Sequence, residues 1–258
     1  LADLVRQCYD RKAYGATVRS AEYALSHYQR GPFLSELRFH YADALAQLER
    51  HDSALAVYEQ IAESAVTPAD KSDAYCGIGE LYLEHLDDPA RAAGYFDSVA
   101  AMATRGVSYL KAIRLTPLCY IRLGDYAGAG KRLEAIIAQR FSEDIMEEAG
   151  FRLCLLGLFA HRFDSTKASL KKLMVDYPRG LYVNDAMQMV NDLDQALPDT
   201  TLLIPYARAV EYSLRNMPDS ARRALSGLVD APDQKLADVA LFRLAALEVS
   251  EHDTTAAI

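Results

Sequence analysis

The sequence predicts an all-α protein, a solenoid built from stacked antiparallel helix pairs. Three observations carry this. First, a ten-residue phrase occurs twice, as "YQRGPFLSEL" over 28–37 and "YPRGLYVNDA" over 177–186, with Tyr, Arg, Gly and an aromatic residue in matching places. Second, the chain breaks at regular intervals. Arg-Gly stands at 30–31, 105–106 and 179–180, about 75 residues apart, with further breaks midway at "AVTPAD" and "RFSED". The period is therefore roughly 37 residues, in the range where self-similarity marks a solenoid. Third, apolar residues recur near every 3.6 positions, while Val, Ile and Thr never form the alternating runs of strands.

Each element then follows in order. Helix pairs are predicted over 1–11 with 14–28, 32–49 with 52–64, 68–85 with 88–103, and 107–123 with 125–139. Further pairs follow over 142–161 with 163–176 and 200–215 with 218–230, and a last A-type helix over 233–250. Between pairs, the Gly of Arg-Gly is expected to take the left-handed conformation that ends a helix, while Pro68 and Ser142 suit the next helix start. Inside each pair, Asp52, Asp88, Asp125, Asp164, Asp219 and Asp253 are placed as N-caps, or just inside them, for the second (B) helix. Ala54, Ala92 and Ala129 follow where two helices must approach closely. Leu37, Tyr41, Ala44, Leu45 and Leu48 form one apolar stripe, and Ala54, Val57, Tyr58 and Ile61 the next. The rhythm breaks once, after "YPRG". There a single helix over 181–197 meets Pro198-Asp199 and then another A-type helix, with no B helix between. A change of pitch, or a helix packed across one face, is expected. The chain reads as one solenoid over 1–258 with an irregular unit at about 177–200. It opens on Leu1, and "EHDTTAAI" resembles a helix start cut short, so a piece of a longer protein is expected, with any targeting segment outside it.

Composition narrows the function. The chain is 51% hydrophobic and 25% charged, which fits a folded soluble protein, and its formal charge of -8 argues against general nucleic-acid binding. No apolar run approaches the roughly 20 residues of a membrane-spanning helix. Cys8, Cys76, Cys119 and Cys154 stand singly in helical patterns, which suits buried free thiols rather than a disulfide framework.

No catalytic constellation emerges. "DYAGAGKRL" lacks the first Gly and the Ser or Thr of a phosphate loop, and no strand precedes it. His51, His85, His161 and His252 recur near A-to-B turns. Corresponding turns of neighbouring units are expected to lie too far apart to share a metal, which leaves exposed turn histidines. Asp87-Asp88 and Glu147-Glu148 are adjacent, so they point apart on a helix and read as charged caps and surface. Most of the sixteen tyrosines fall on apolar stripes, as packing residues. No metal and no cofactor are expected.

At this point the chain resembles the tetratricopeptide-repeat (TPR) family. In "GIGELYLEHLDDPARAAGYFDSV" the residues Ile78, Gly79, Tyr82, Ala92 and Phe96 occupy the family's positions. In "YIRLGDYAGAGKRLEAII" they are Tyr120, Gly124, Asp125, Tyr126 and Ala129. The chain departs from the family in having no Trp, in Pro117 at a position usually small, and in a period above the usual 34 or so. The long period and the "YPRGLYVNDA" phrase resemble the envelope-associated bacterial branch, which includes outer-membrane assembly lipoproteins and periplasmic coordinator proteins. That resemblance implies a periplasmic or envelope-associated origin.

The resemblance also implies a right-handed α-α superhelix, and a non-enzymatic scaffold whose first (A) helices line a concave groove for a peptide or partner subunit. The alternative is a regulatory or substrate-recruiting repeat region of a larger enzyme or sensor. Carried over from the family, the groove positions are Asp43, Glu80, Glu84, Lys111, Arg114, Arg122, Arg208 and Tyr212. They run from acidic to basic, which could orient a ligand; read from charge patterning alone, they are solvated helix faces. The partner is expected to be protein or peptide, with no nucleic acid, no membrane insertion by this segment and no assignable oligomeric state.

Overall fold

The structure is a computed structural model that describes residues 1–28, 31, 33–102, 106–197, 200–231 and 235–255, with side chains to Val249. Among the described residues there are fourteen α-helices and no strand. The chain forms two compact units, 1–123 and 124–258.

The first unit holds α1 (Ala2–Asp10), α2 (Tyr14–His27), α3 (Leu34–Gln47), α4 (His51–Ser64), α5 (Pro68–Glu84), α6 (Pro89–Ala101) and α7 (Val107–Leu123). Each helix packs on the next, and the A helices α1, α3, α5 and α7 also pack on one another in that order. The small residues make this possible. Ala54 and Ala92 have no exposed surface. A Cβ at Gly79 would stand 2.6 Å from the Phe96 ring, so Gly is what lets α5 and α6 close on each other. Ile78, Tyr82 and Phe96 are buried in the same core, as the repeat register predicts.

Helix starts and stops follow from local chemistry. Thr67, Asp88 and Asp125 accept backbone N–H bonds as N-caps, while Asp52, Asp164 and Asp219 sit in the first turn of their helices. The Asp253 side chain lies outside the described residues. Of the Arg-Gly glycines, Gly31 alone has a positive φ, at 152°, far from the left-handed helical value expected of a stop. Positive φ also occurs at Arg140 (52°), between two pairs, and in the A-to-B turns, at Lys12 (56°), Glu49 (57°), Asp87 (47°), Gly124 (79°), His161 (56°) and Asn216 (59°). There the following N–H reaches a carbonyl five or six residues back, Arg50 to Leu45 and Arg162 to Gly157 among them. Gly106 and Gly180 have no positive φ. Arg30 and Arg105 of the repeated phrase, and the Pro198-Asp199 break, lie outside the described residues.

The second unit holds α8 (Tyr126–Ala138), α9 (Glu143–Phe159), α10 (Phe163–Asp176), α11 (Val183–Ala196), α12 (Thr200–Leu214), α13 (Pro218–Val229) and α14 (Ala237–Thr255). Serial packing continues through it, but α12 also packs against α9. Helix α9 is buried over most of its surface from Ile145 to Phe159, with Met146, Gly150, Arg152 and Leu153 half-buried, because α8, α10 and α12 pack on it. Helix α14 runs through to Thr255, without the turn expected at "EHD".

Candidate partner-binding surface

The A helices of the first unit are joined through their side chains at a sequence separation of one repeat. Ser35 donates to Asp70 (3.3 Å) and Ser108 to Asp73 (2.5 Å), each across 35 residues. Tyr9 donates to Asp43 (3.2 Å) across 34. These bonds align successive helices and bring their middles onto one wall.

Four of the eight predicted groove residues meet there. Asp43 of α3, Glu80 and Glu84 of α5 and Lys111 of α7 border one cavity of about 240 Å³, with Tyr9, Tyr58 and His85 beside them. Asp43 accepts from the hydroxyls of both Tyr9 and Tyr58. Lys111 sits 2.8 Å from Glu80, which raises its pKa against the opposing effect of burial. Among the described residues, Glu84 has no ion pair or hydrogen bond through its carboxylate. Partial desolvation, and then the Glu80 carboxylate, push its pKa up. Three carboxylates thus face one ammonium. Burial and the Asp43 carboxylate push the Tyr9 and Tyr58 hydroxyls far above their ordinary pKa, so both stay protonated donors.

The other four lie elsewhere. Arg122 donates to the Leu83 carbonyl (2.5 Å) and stands 3.7 Å from Asp87, so it ties α7 to the end of α5. Arg114 is half-buried on α7 and does not border this cavity. Arg208 and Tyr212, in the second unit, share a hollow of about 280 Å³ with Ser220 and Arg223, between α12 and α13.

Two expectations are corrected. Glu147 and Glu148 are not surface charges; they are 2% and 5% exposed. Glu147 accepts the backbone N–H groups of Leu181 (2.9 Å) and Tyr182 (2.8 Å), so a carboxylate of α9 caps the start of α11. Glu148 pairs with Arg152 at 2.6 Å. A Cβ at Gly180 would overlap the Glu147 carboxylate. Gly180 therefore makes room for a neighbouring side chain, and does not end a helix. The histidines also come closer than expected. The rings of His51 and His85 lie 4.9 Å apart, because successive A-to-B turns stack directly. Among the described residues no group of three or more His, Cys, Asp or Glu is arranged to hold a metal.

Sequence reasoning missed the tyrosine hydroxyls. Tyr9, Tyr41, Tyr58, Tyr120, Tyr126 and Tyr206 each donate to a carboxylate on another helix. The last is in the core of the second unit, where Asp192, with no exposed surface, accepts from Tyr206 (2.7 Å) and Gln188 (2.8 Å), and Arg243 stands 3.8 Å away. An apolar stripe interrupted by Tyr, with an acid one repeat away, is the signal that could have found the Tyr9–Asp43 pair. The cysteines agree with expectation: Cys76, Cys119 and Cys154 are buried and free, and Cys8 is half-buried and free.

No protein-family model matches the chain, and no curated protein matches it. Solved structures do. A tetratricopeptide repeat protein from Parabacteroides merdae aligns over 95% of this chain and 96% of its own, with a TM-score of 0.60 at 14% identity. The C-terminal part of a TPR repeat-containing protein from Cytophaga hutchinsonii aligns over 100% of this chain and 99% of its own, with a TM-score of 0.59 at 13% identity. At these identities the likeness shows the fold alone, an all-helical TPR-like α-α solenoid. No helix among the described residues is long and apolar enough to cross a membrane.

Proposed function

We propose that this chain is a non-enzymatic interaction scaffold, and that the A-helix face of its first unit receives an extended peptide or partner subunit carrying a basic side chain. A TPR-like fold suits protein partners, because stacked A helices present a continuous wall of side chains. The observation that carries the finer reading is the meeting of Asp43, Glu80, Glu84 and Lys111 at one cavity, from three successive A helices. Lys111 answers Glu80, the tyrosine hydroxyls answer Asp43, and Glu84 is left for a cation from outside. The long repeat period and the Tyr-Pro-Arg-Gly phrase support a bacterial, envelope-associated setting as part of this reading. A lipobox or signal sequence in the complete precursor would agree with it, and a precursor with neither would remove that part.

The test is fluorescence anisotropy with a labelled Lys/Arg-rich peptide. Glu84→Gln keeps the shape and leaves both tyrosine bonds to Asp43 in place but removes the carboxylate without a partner, and should weaken binding about fivefold or more. Lys111→Glu removes the competing ammonium and should strengthen it. Equal affinity across these variants, or tighter binding of a Glu-rich peptide, would refute the assignment.

A further inference from the structure

The second unit carries a different surface. Helices α9, α11, α12 and α14 enclose an open cavity of about 990 Å³. Its floor is apolar: Phe151 and Leu155 from α9, Met189 from α11, Val210 and Leu214 from α12, and Phe242 from α14. Phe151, Leu155, Met189 and Val210 are buried, yet Phe242 at the edge is 76% exposed. A phenylalanine left in water beside an apolar trough gains from any apolar group that covers it. We propose that this trough docks an amphipathic α-helix of a partner protein, with Lys or Arg flanking its apolar face.

Shape favours a helix. Each wall helix offers side chains three and four residues apart: Val210, Ser213 and Leu214 on α12, and Val239, Phe242, Arg243 and Ala246 on α14. Such rows are the ridges between which another helix packs. The trough also borders α11, the helix whose expected B-helix mate is missing: the chain passes from α11 to α12, which packs on α9 as well as on α11. A partner's helix would supply contacts that the repeat pattern otherwise provides from within.

Charge decides the flanks. Asp185 and Asp238 stand at the mouth, exposed, and neither carboxylate has an ion pair or hydrogen bond among the described residues. Arg243, the cation of the lining, is held by Tyr206 (3.2 Å) and stands 3.8 Å from Asp192, so it does not neutralise them. Gln188, Ser213 and the terminal nitrogen of Arg243 are thus engaged internally, which leaves the buried Arg243 Nε without a partner, whereas a small-molecule site gathers a few convergent polar groups for its ligand. The rim selects basic residues on either side of an apolar stripe. This inference does not depend on the cavity of the first unit.

The experiment uses two labelled synthetic helices, about four turns long. Both carry the same Leu and Phe residues on one face, flanked by Lys in one peptide and by Glu in the other. The Lys-flanked peptide should bind at least about tenfold tighter. Phe242→Glu, an exposed position whose change leaves the fold intact by circular dichroism, should abolish binding. The double variant Asp185→Lys, Asp238→Lys should reverse the preference between peptides. Binding that ignores flanking charge, or survives Phe242→Glu, would overturn the proposal. So would concentration-dependent self-association lost in Phe242→Glu, which would give the face to a second copy. Uptake of an environment-sensitive apolar dye that neither peptide displaces would give it to a small apolar molecule, and would overturn the proposal too.

Discussion

The contact between Glu147 and Gly180 yields a prediction whose sign depends on its partner. Two charge-assisted bonds run from the N–H groups of Leu181 and Tyr182 to the Glu147 carboxylate. Bonds to charged groups contribute about 1.5–3 kcal/mol each. Leu181 is 77% exposed, so water replaces part of its bond, and Glu147→Ala should cost about 2–3 kcal/mol. Gly180→Ala should cost a similar amount, because the new methyl group displaces the carboxylate while the backbone there has no positive φ. In the Glu147→Ala background the collision is gone. The same Gly180→Ala change should then be neutral, or stabilising by up to about 1 kcal/mol through the unfolded chain. Urea unfolding of the four proteins measures the cycle. Amide exchange at Leu181 and Tyr182 reads it locally, which matters because two compact units need not unfold together. If Gly180→Ala costs the same in both backgrounds, the carboxylate is not what Gly180 accommodates.

Three other outcomes follow from the same reasoning. Ala92→Leu should destabilise by about 1–3 kcal/mol in thermal or urea unfolding, because Ala92 is fully buried between helices; an unchanged midpoint would put it at the surface. Partial desolvation, and then His51, lower the pKa of His85, so the unfolded chain binds more protons below the ordinary histidine value of about 6.5. Stability should therefore fall as pH drops from about 6.5, and His85→Asn should flatten that slope in urea midpoints measured against pH. With a thiol reagent, Cys8 should react first, because burial pushes Cys76 up to about 12 and Cys154 to about 11; early labelling of Cys76 or Cys154 would contradict the packing.

Helix positions were legible because their signals are local. Thr67 before Pro68, and Asp88 before Pro89, cap their helices through bonds three residues long. Ala54 and Ala92 marked the close approaches because only a small residue fits there. One repeat of register carries Asp43 to the neighbourhood of Glu80, whereas the approach of Glu84 and Lys111 to the same cavity was decided by the fold. The Arg-Gly phrase misled. It looked like a helix stop, whereas at its third occurrence the glycine's requirement comes from Glu147, more than thirty residues earlier.

By itself, then, the sequence determined where helices begin and end, which of their faces are apolar, and that the pairs repeat. Capping bonds and a 3.6-residue period act over a few residues and need no partner to be read. Only tertiary structure decided that Glu147 and Asp192 are buried, that His51 meets His85, and that α12 lies against α9. The reason is physical: whether a charged side chain faces water or another helix depends on how neighbouring helices stack. That stacking is set by the summed fit of many side chains, and no short stretch of sequence contains it.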